Sequence, residues 1–289
     1  MAERDIPAGR QRPERASRRW TPELCVSVGV LGLAVVAAVA APWVAPYSPT
    51  AITAHAFAPP SGAHLFGTDQ LGRDIFSRVV YGARISLGTA GFAVVSSGLI
   101  GVTLGLLSGY FGGLLDALVM RAMDIVFAFP AILLAMGLVA IMGAGTDSGA
   151  IAIAVVGIPA FARLARAGML VEREKPYVEA AKALGCSDLR IIFRAVLPNV
   201  TGPLLVQAGI GATLAVLLQA SLSFLGLGPA PPAPSWGEML SQSRVVLYQA
   251  PWYGIFPGVA LTAVVLALNT IADGLQRFPR LGSGPTAGG

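Results

Sequence analysis

The sequence predicts an all-α membrane protein of six transmembrane helices, with a charged loop between the fourth and the fifth. Three observations carry this reading. Of 289 residues, 55% are hydrophobic and only 12% charged, whereas a soluble domain carries about twice that share of charge. The mean hydropathy is +0.70. The charges are also segregated: apolar windows of about 20 residues, the length that crosses the hydrocarbon core, alternate with short charged connections.

Taken in order, the chain opens on a basic tail, residues 1–23, holding Arg4, Arg10, Arg12, Arg15, Arg18 and Arg19. An apolar run follows directly, so the arginines read as a topology signal rather than as a nucleic-acid-binding arm. The first span, 24–45, ends in AAVAAP, which resembles a signal-peptide cleavage region. Its apolar stretch exceeds the usual h-region of about 7–15 residues, and more spans follow, so it is predicted to stay as an anchor. Residues 46–83 form a connection rich in Pro and Gly (PYSPT, FAPPSG), turn chemistry that suits an ordered extracytoplasmic loop. Within it DIFSRVVYGAR, 74–84, places Ile75 and Val79 on one face and predicts a short interfacial helix.

The five-helix core, 84–276, contains spans at 85–107, 114–142, 149–170, 199–226 and 252–275. In the second span Ala93, Ser97, Gly101, Gly105 and Gly109 recur every four positions, and Gly254 and Gly258 repeat the pattern in the last. Small residues at that period let helices approach closely in lipid, and packing inside one subunit is the expected use. In the third span Arg121 and Asp124 stand three apart, the spacing of an intrahelical structural ion pair. With the N-terminus inside, residues 1–23, 108–113, 171–198 and the tail 277–289 are cytoplasmic; counting Arg163 and Arg166 as snorkelling there, they hold 15 of the 20 basic residues. The positive-inside rule supports that orientation.

The loop 171–198 contains EAAKALGCSDLRIIFRAVLP. Val178, Ala181 and Leu184 fall on one helical face, and Leu189, Ile192, Phe193 and Val196 on a second after Gly185. Two short helices hinged at Gly185 follow, with Ser187 placed to cap the second and Pro198 opening the next span. Glu179 stands at the start of the first, where a carboxylate suits both the helix N-terminus and a basic partner group. The first helix is small-sided, with Ala180, Ala181 and Ala183, and such a helix enters a narrow protein cleft closely. The loop therefore reads as a docking element.

No catalytic constellation accompanies it. The two lysines, Lys175 and Lys182, follow Glu174 and Ala181, so no GxxxxGK[ST] phosphate loop exists. There is no GxSxG, SxxK or HExxH. His55 and His64 are read as surface residues rather than metal ligands, and Cys25 and Cys186 as free thiols. Arg121, Asp124 and Asp273 are the residues an ion-coupled carrier would use, and that is the rival class.

The loop resembles the EAA loop of ABC-importer permeases: Glu179, Ala180, Ala181, Gly185, Leu197 and Pro198 fall at the matching places, and Ala195 departs from the usual Ile. HLFGTDQLGRDIFSRVVYGARISL, 64–87, and SLSFLGLGPAPPAPSWGEML, 221–240, are similar to the C-type permease of dipeptide and oligopeptide importers. The resemblance covers nearly all of the chain after about residue 20. It implies a type I importer permease fold in the cell inner or plasma membrane. It implies a heterodimer with a B-type permease, two cytoplasmic ATPase subunits that hold ATP and Mg, and an extracytoplasmic binding protein that delivers peptide. Nickel, glutathione and haem are carried by related machines. A path lined by weak polar groups is expected, with Ser96, Ser97, Gln207, Thr213, Gln219 and Ser221 as candidates.

Overall fold

The computed structural model describes residues 21–276, so the basic tail, apart from its last three residues, and the tail after 276 lie outside the described residues. The first helix, α1 (Pro22–Val39), starts where Thr21 Oγ1 accepts the Leu24 N–H at 3.3 Å and Pro22 supplies the preset first turn. A one-turn α2 (Ala41–Val44) follows, with Pro42 near its start. The segment predicted as a separate interfacial helix is instead the beginning of α3 (Ile75–Phe111), a single 37-residue helix capped by Asp74, whose side chain accepts the Ser77 N–H. At about 1.5 Å per residue it is ~55 Å long, so its first turns stand clear of a ~30 Å hydrocarbon layer. Gly112 and Gly113, with φ of 65° and 56°, turn the chain back.

The third predicted span, 114–142, is not one helix. It is broken into α4 (Gly113–Phe127) and α5 (Ala131–Met142), which meet at 94°. Pro130 explains the break: it donates no N–H, and it pushes Phe129 out of the helical region. Next come α6 (Thr146–Glu172), α7 (Pro176–Ala183) and α8 (Asp188–Arg190). The second loop helix does not stand apart as predicted. It runs through a π-helical turn, Ile191–Val196, into α9 (Leu197–Phe224) with Pro198 in the first turn, so 188–224 is one continuous apolar helix. Two more elements, α10 (Trp236–Ser243) and α11 (Trp252–Gln276), complete the described residues. Among the described residues, five helices are long and apolar enough to span a membrane, six when the bent α4–α5 pair is one span.

The seam between α3 and α6 is the most extensive helix contact of the fold. The small residues of α3 make it: a Cβ on Gly101 would lie 2.6 Å from the Ile158 carbonyl oxygen, one on Gly105 would strike the backbone of Ala162, and one on Gly109 would meet Met169. Between helices that both face lipid, such close backbone approach replaces the hydrophobic drive as the source of association. Ala90, Ala93, Ala135, Val139, Ile153 and Val216 fill the half of the bundle away from the 171–198 loop. Leu106, Phe161, Met169, Ile192, Val196 and Leu204 fill the half beneath it.

Gly105→Val is therefore expected to cost ~3 kcal/mol or more, because the obstacle is backbone and cannot swing aside. Gly91→Val, on the same helix with nothing within 4 Å of its Cβ, serves as the control. Thermal unfolding of the purified protein in detergent checks this, and equal melting temperatures for the two variants would refute the seam.

Candidate functional site

The candidate site is the loop between α6 and α9. Pro176 opens α7, and Val178, wholly buried, seats its underside among Ile191, Ile192 and Val196. Ala181 is partly buried against the same cluster, whereas Glu179, Ala180 and Ala183 are exposed. The helix ends on Gly185, φ 71°, whose N–H bonds the Lys182 carbonyl at 2.9 Å while the Cys186 N–H reaches back to Ala181 at 3.1 Å. This paired closure requires the left-handed residue that glycine supplies. The protruding edge around the turn is apolar: Leu184 is 83% exposed and Leu189 60%. These apolar side chains protrude beside the small-sided face of α7.

Polar contacts fix the loop to three long helices. Glu172, buried at the end of α6, accepts from Lys175 Nζ at 2.6 Å and from the Tyr177 hydroxyl at 2.7 Å. Asn199 Nδ2 on α9 donates to the same Tyr177 oxygen at 3.2 Å and to the Ala195 carbonyl at 2.8 Å. Burial, reinforced by the bond to Glu172, pushes the Tyr177 phenol up to about 12, so it is a neutral donor at any physiological pH. Arg173 donates to the Gly109 carbonyl at the end of α3 at 2.9 Å, and Tyr110 donates to Asp188 at 2.6 Å. Ser187 stands at the N-cap position but makes no cap bond; the Tyr110 contact holds that turn instead. Ala195 is half-buried in the π-helical turn, with Val196 and Ile192 filling the core beside it.

Of the six path candidates, Ser97, Thr213 and Gln219 are closed off inside the chain, 3%, 7% and 4% exposed. Ser97 bonds the Val94 carbonyl, Thr213 the Gly209 carbonyl, and Gln219 Nε2 the Ser223 hydroxyl. Helical rotation, which polarity alone cannot show, puts these three in interhelical packing. Ser96 and Gln207 are half-buried; Ser221 is exposed, its hydroxyl returned to the Leu217 carbonyl. The Arg121–Asp124 pair expected from spacing does not form. Asp124 instead accepts from Arg163 of α6 at 2.6 Å, whose guanidinium lies 4.3 Å over the Phe127 ring, while Arg121 is exposed on the same side of α4. A bidentate contact between Arg166 and Asp116 makes a second link between α6 and α4.

Sequence reasoning missed a buried charge network at the opposite end. Arg78, with no exposed surface, donates to Glu238 at 3.1 Å and to the Pro49 carbonyl at 3.2 Å, and lies 3.6 Å from Asp69. Asp69 also takes Arg73 at 2.7 Å. His64, read as a surface residue, is in fact largely buried, with Nδ1 at 2.9 Å from Asp74. Trp236 Nε1 donates to the Val79 carbonyl at 2.9 Å, and Gln242 bonds Glu238. The signal available was the run Asp69, Arg73, Asp74, Arg78: four charges in ten residues of a charge-poor chain.

With this geometry in place, comparison with known proteins assigns the chain. Residues 101–279 match the family described as "Binding-protein-dependent transport system inner membrane component". The chain belongs to that family. It is 50% identical over 217 residues to the dipeptide transport system permease protein DppC of Alkalihalophilus pseudofirmus, covering 75% of this chain and 71% of the relative. It is 47% identical to the glutathione transport system permease protein GsiD of Pectobacterium atrosepticum, covering 75% and 72%. A putative peptide transport system permease protein of Brucella suis is 44% identical over 259 residues, covering 89% and 87%. Among solved structures, a chain of the MetNI methionine ABC transporter in an inward-facing conformation superposes with a TM-score of 0.56 at 22% identity, covering 68% of this chain and 93% of that one. The fold is that of an ABC-importer permease. The family is a membrane component of a transport system, not an enzyme.

Burial pushes the Glu238 carboxyl up against the pull of Arg78, so its neutral amide is a mild replacement. Glu238→Gln is expected to cost ~1 kcal/mol, whereas Arg78→Met strands buried carboxylates and costs about 3–5 kcal/mol. Melting curves of the two variants test the order; a smaller drop for Arg78→Met would overturn it.

Proposed function

We propose that this chain is the permease subunit of an ATP-driven importer of di- and oligopeptides, one half of a heterodimer with a B-type permease. It lies in the cell inner or plasma membrane with both termini cytoplasmic, as the distribution of basic residues supports. Two ATPase subunits dock on the cytoplasmic side and hold ATP and Mg; this chain carries no cofactor. An extracytoplasmic binding protein delivers peptide on the opposite side. Peptide cargo is supported by the DppC and Brucella suis relatives. Glutathione is the second reading, favoured by the 47% identical GsiD relative.

The observation that carries the proposal is α7 itself, small-faced and exposed at Glu179, Ala180 and Ala183 yet anchored from below by Val178. Leu197 and Pro198 continue the same loop rigidly into α9. A partner cleft can seat the small face closely, and Glu179 offers a carboxylate to a basic group in it. Because Tyr177, Glu172, Asn199 and Arg173 bond the loop to α6, α9 and α3, a displacement of α7 is delivered to those helices rather than absorbed in the loop. That is what coupling ATPase closure to an alternating path requires.

Glu179→Lys and Gly185→Pro are expected to lower ATP-dependent uptake of labelled dipeptide at least ~tenfold, the effect of about 1.4 kcal/mol of lost docking. The ATPase pair should no longer be retained on purification. Proline cannot adopt φ of 71°, whereas Gly185→Asn should be milder. Normal uptake and intact assembly in both severe variants would sink the proposal. Competition of labelled dipeptide with glutathione separates the two cargo readings.

A further inference from the structure

The α4–α5 elbow carries features that hydrocarbon cannot accept. Asp124 is 56% exposed on α4, the first half of the bent apolar pair, and Arg163 47% exposed on the span-length helix α6. Asp124 stands ~16 Å along α4 from its start at Gly113, and Arg163 ~14 Å from the end of α6 at Glu172, counting about 1.5 Å per residue. The two thus stand at matching heights, each about two to three turns inside its helix from the end nearer the 171–198 loop. An arginine can snorkel to the interface, but an aspartate is too short to do so. Ala117, Arg121 and Asp124 form one exposed stripe of α4 at helical spacing.

Just beyond that stripe the backbone itself breaks. Residues 128–130 leave the helix, Pro130 gives α5 no side-chain cap bond, and Phe127 and Phe129 on either side are 47% and 55% exposed. The first-turn N–H groups of α5 therefore lack intrahelical acceptors. Irregular backbone at membrane depth is tolerated where it meets water or protein, not lipid. Arg163 and Asp124 already satisfy each other at 2.6 Å, so the pair is complete without a partner protein, and the elbow's first-turn N–H groups call for acceptors that hydrocarbon does not offer.

We propose that the α4–α5 elbow, together with Asp124 and Arg163, lines the water-filled translocation path, and that the ion pair is the wall over which a zwitterionic peptide passes. The inference rests on the permease reading above. The pair presents a carboxylate and a guanidinium in contact, with the guanidinium steadied over Phe127. A solute carrying both an ammonium and a carboxylate can exchange its ends for the two halves of the pair without leaving either charge bare. A solute with one charge cannot.

The test uses the assembled transporter, with its partner permease, ATPases and binding protein, in vesicles, in a Cys25→Ser, Cys186→Ser background. Cysteine is placed at Ala128 or Phe129, and at Leu33 on α1, 71% exposed, as the lipid-facing control. A membrane-impermeant thiosulfonate is expected to modify the elbow cysteines at least ~tenfold faster than the control, because the reactive thiolate forms only in contact with water. Equal rates at all three positions, or protection of the elbow through a crosslink to the partner permease, overturn the inference. In a complex that keeps its ATPase subunits, Arg163→Gln with Asp124→Asn should lower zwitterionic dipeptide uptake about tenfold while elbow labelling stays fast. Unchanged uptake overturns the role of the pair. If the unlabelled parent background fails to take up dipeptide at all, the dipeptide-cargo reading falls instead, and the labelling result still stands on its own.

Discussion

The close approach of α3 and α6 is the constraint on which the rest of the structure depends. In lipid an apolar side chain gains nothing by turning away from the solvent, so two helices stay together only through dense contact and satisfied polar groups. Gly101 and Gly105 allow that density, since any side chain there would occupy the space of Ile158 and Ala162. The seam spans most of both helices, and it links the two ends of the molecule. The N-terminus of α3 holds the Asp69–Arg78–Glu238 network, and the C-terminus of α6 holds Glu172 and the 171–198 loop.

Those two ends solve the same problem in different ways. At the α3 end, full burial makes the charges mutually dependent, and hydrogen bonds from Arg78 to the Pro49 carbonyl and from Trp236 to the Val79 carbonyl knit the 45–74 segment, α3 and α10 together. A buried network of this kind fixes geometry more than it adds stability. At the loop end the polar groups are arranged in a chain, Lys175, Glu172, Tyr177, Asn199, each bonded to the next. Neutral Tyr177 acts there as donor and acceptor at once, which a phenolate could not do.

Much of this was legible in the sequence, and what was not has physical reasons. Apolar windows located the long helices because the cost of charge in hydrocarbon is large and independent of the fold. Helix packing through small residues was readable from the four-residue period of Ala93, Ser97, Gly101, Gly105 and Gly109. The Gly185 turn and the small face of α7 were readable from composition alone. The elbow was not, although Pro130 stood in plain view: hydropathy counts apolar residues and is blind to a lost N–H. The ion pair at Asp124 was misassigned because spacing along one helix describes local geometry only. Arg163, 39 residues away, reaches the same carboxylate across the α4–α6 contact and is held there by Phe127. Continuity of α8 into α9 was hidden for the opposite reason, since Pro198 looked like a start signal, yet it stands inside a helix that began at Asp188, directly after the π-helical turn where the regular bonding pattern is already interrupted.

The contrast between the seam and the elbow also bears on how motion would travel. The loop is bonded to α3, α6 and α9, which pack on each other along most of their length, so these three move as a body when α7 is pushed. The α4 helix is joined to that body differently: one buried residue, Met123, and two ion pairs to α6, Arg166 with Asp116 and Arg163 with Asp124. Ion pairs tolerate rotation of one helix against another in a way that interlocked backbones do not, because a guanidinium can follow a carboxylate by turning about its stem. Below α5 the 94° bend at Pro130 gives a second place where the angle can change without unpacking. The fold thus combines a rigid lever, built from glycine contacts, with a hinged element attached by charge, and the hinge lies where the exposed pair sits. A transporter that must alternate between two openings needs both kinds of attachment, and this chain builds the first from small residues and the second from proline and paired charges.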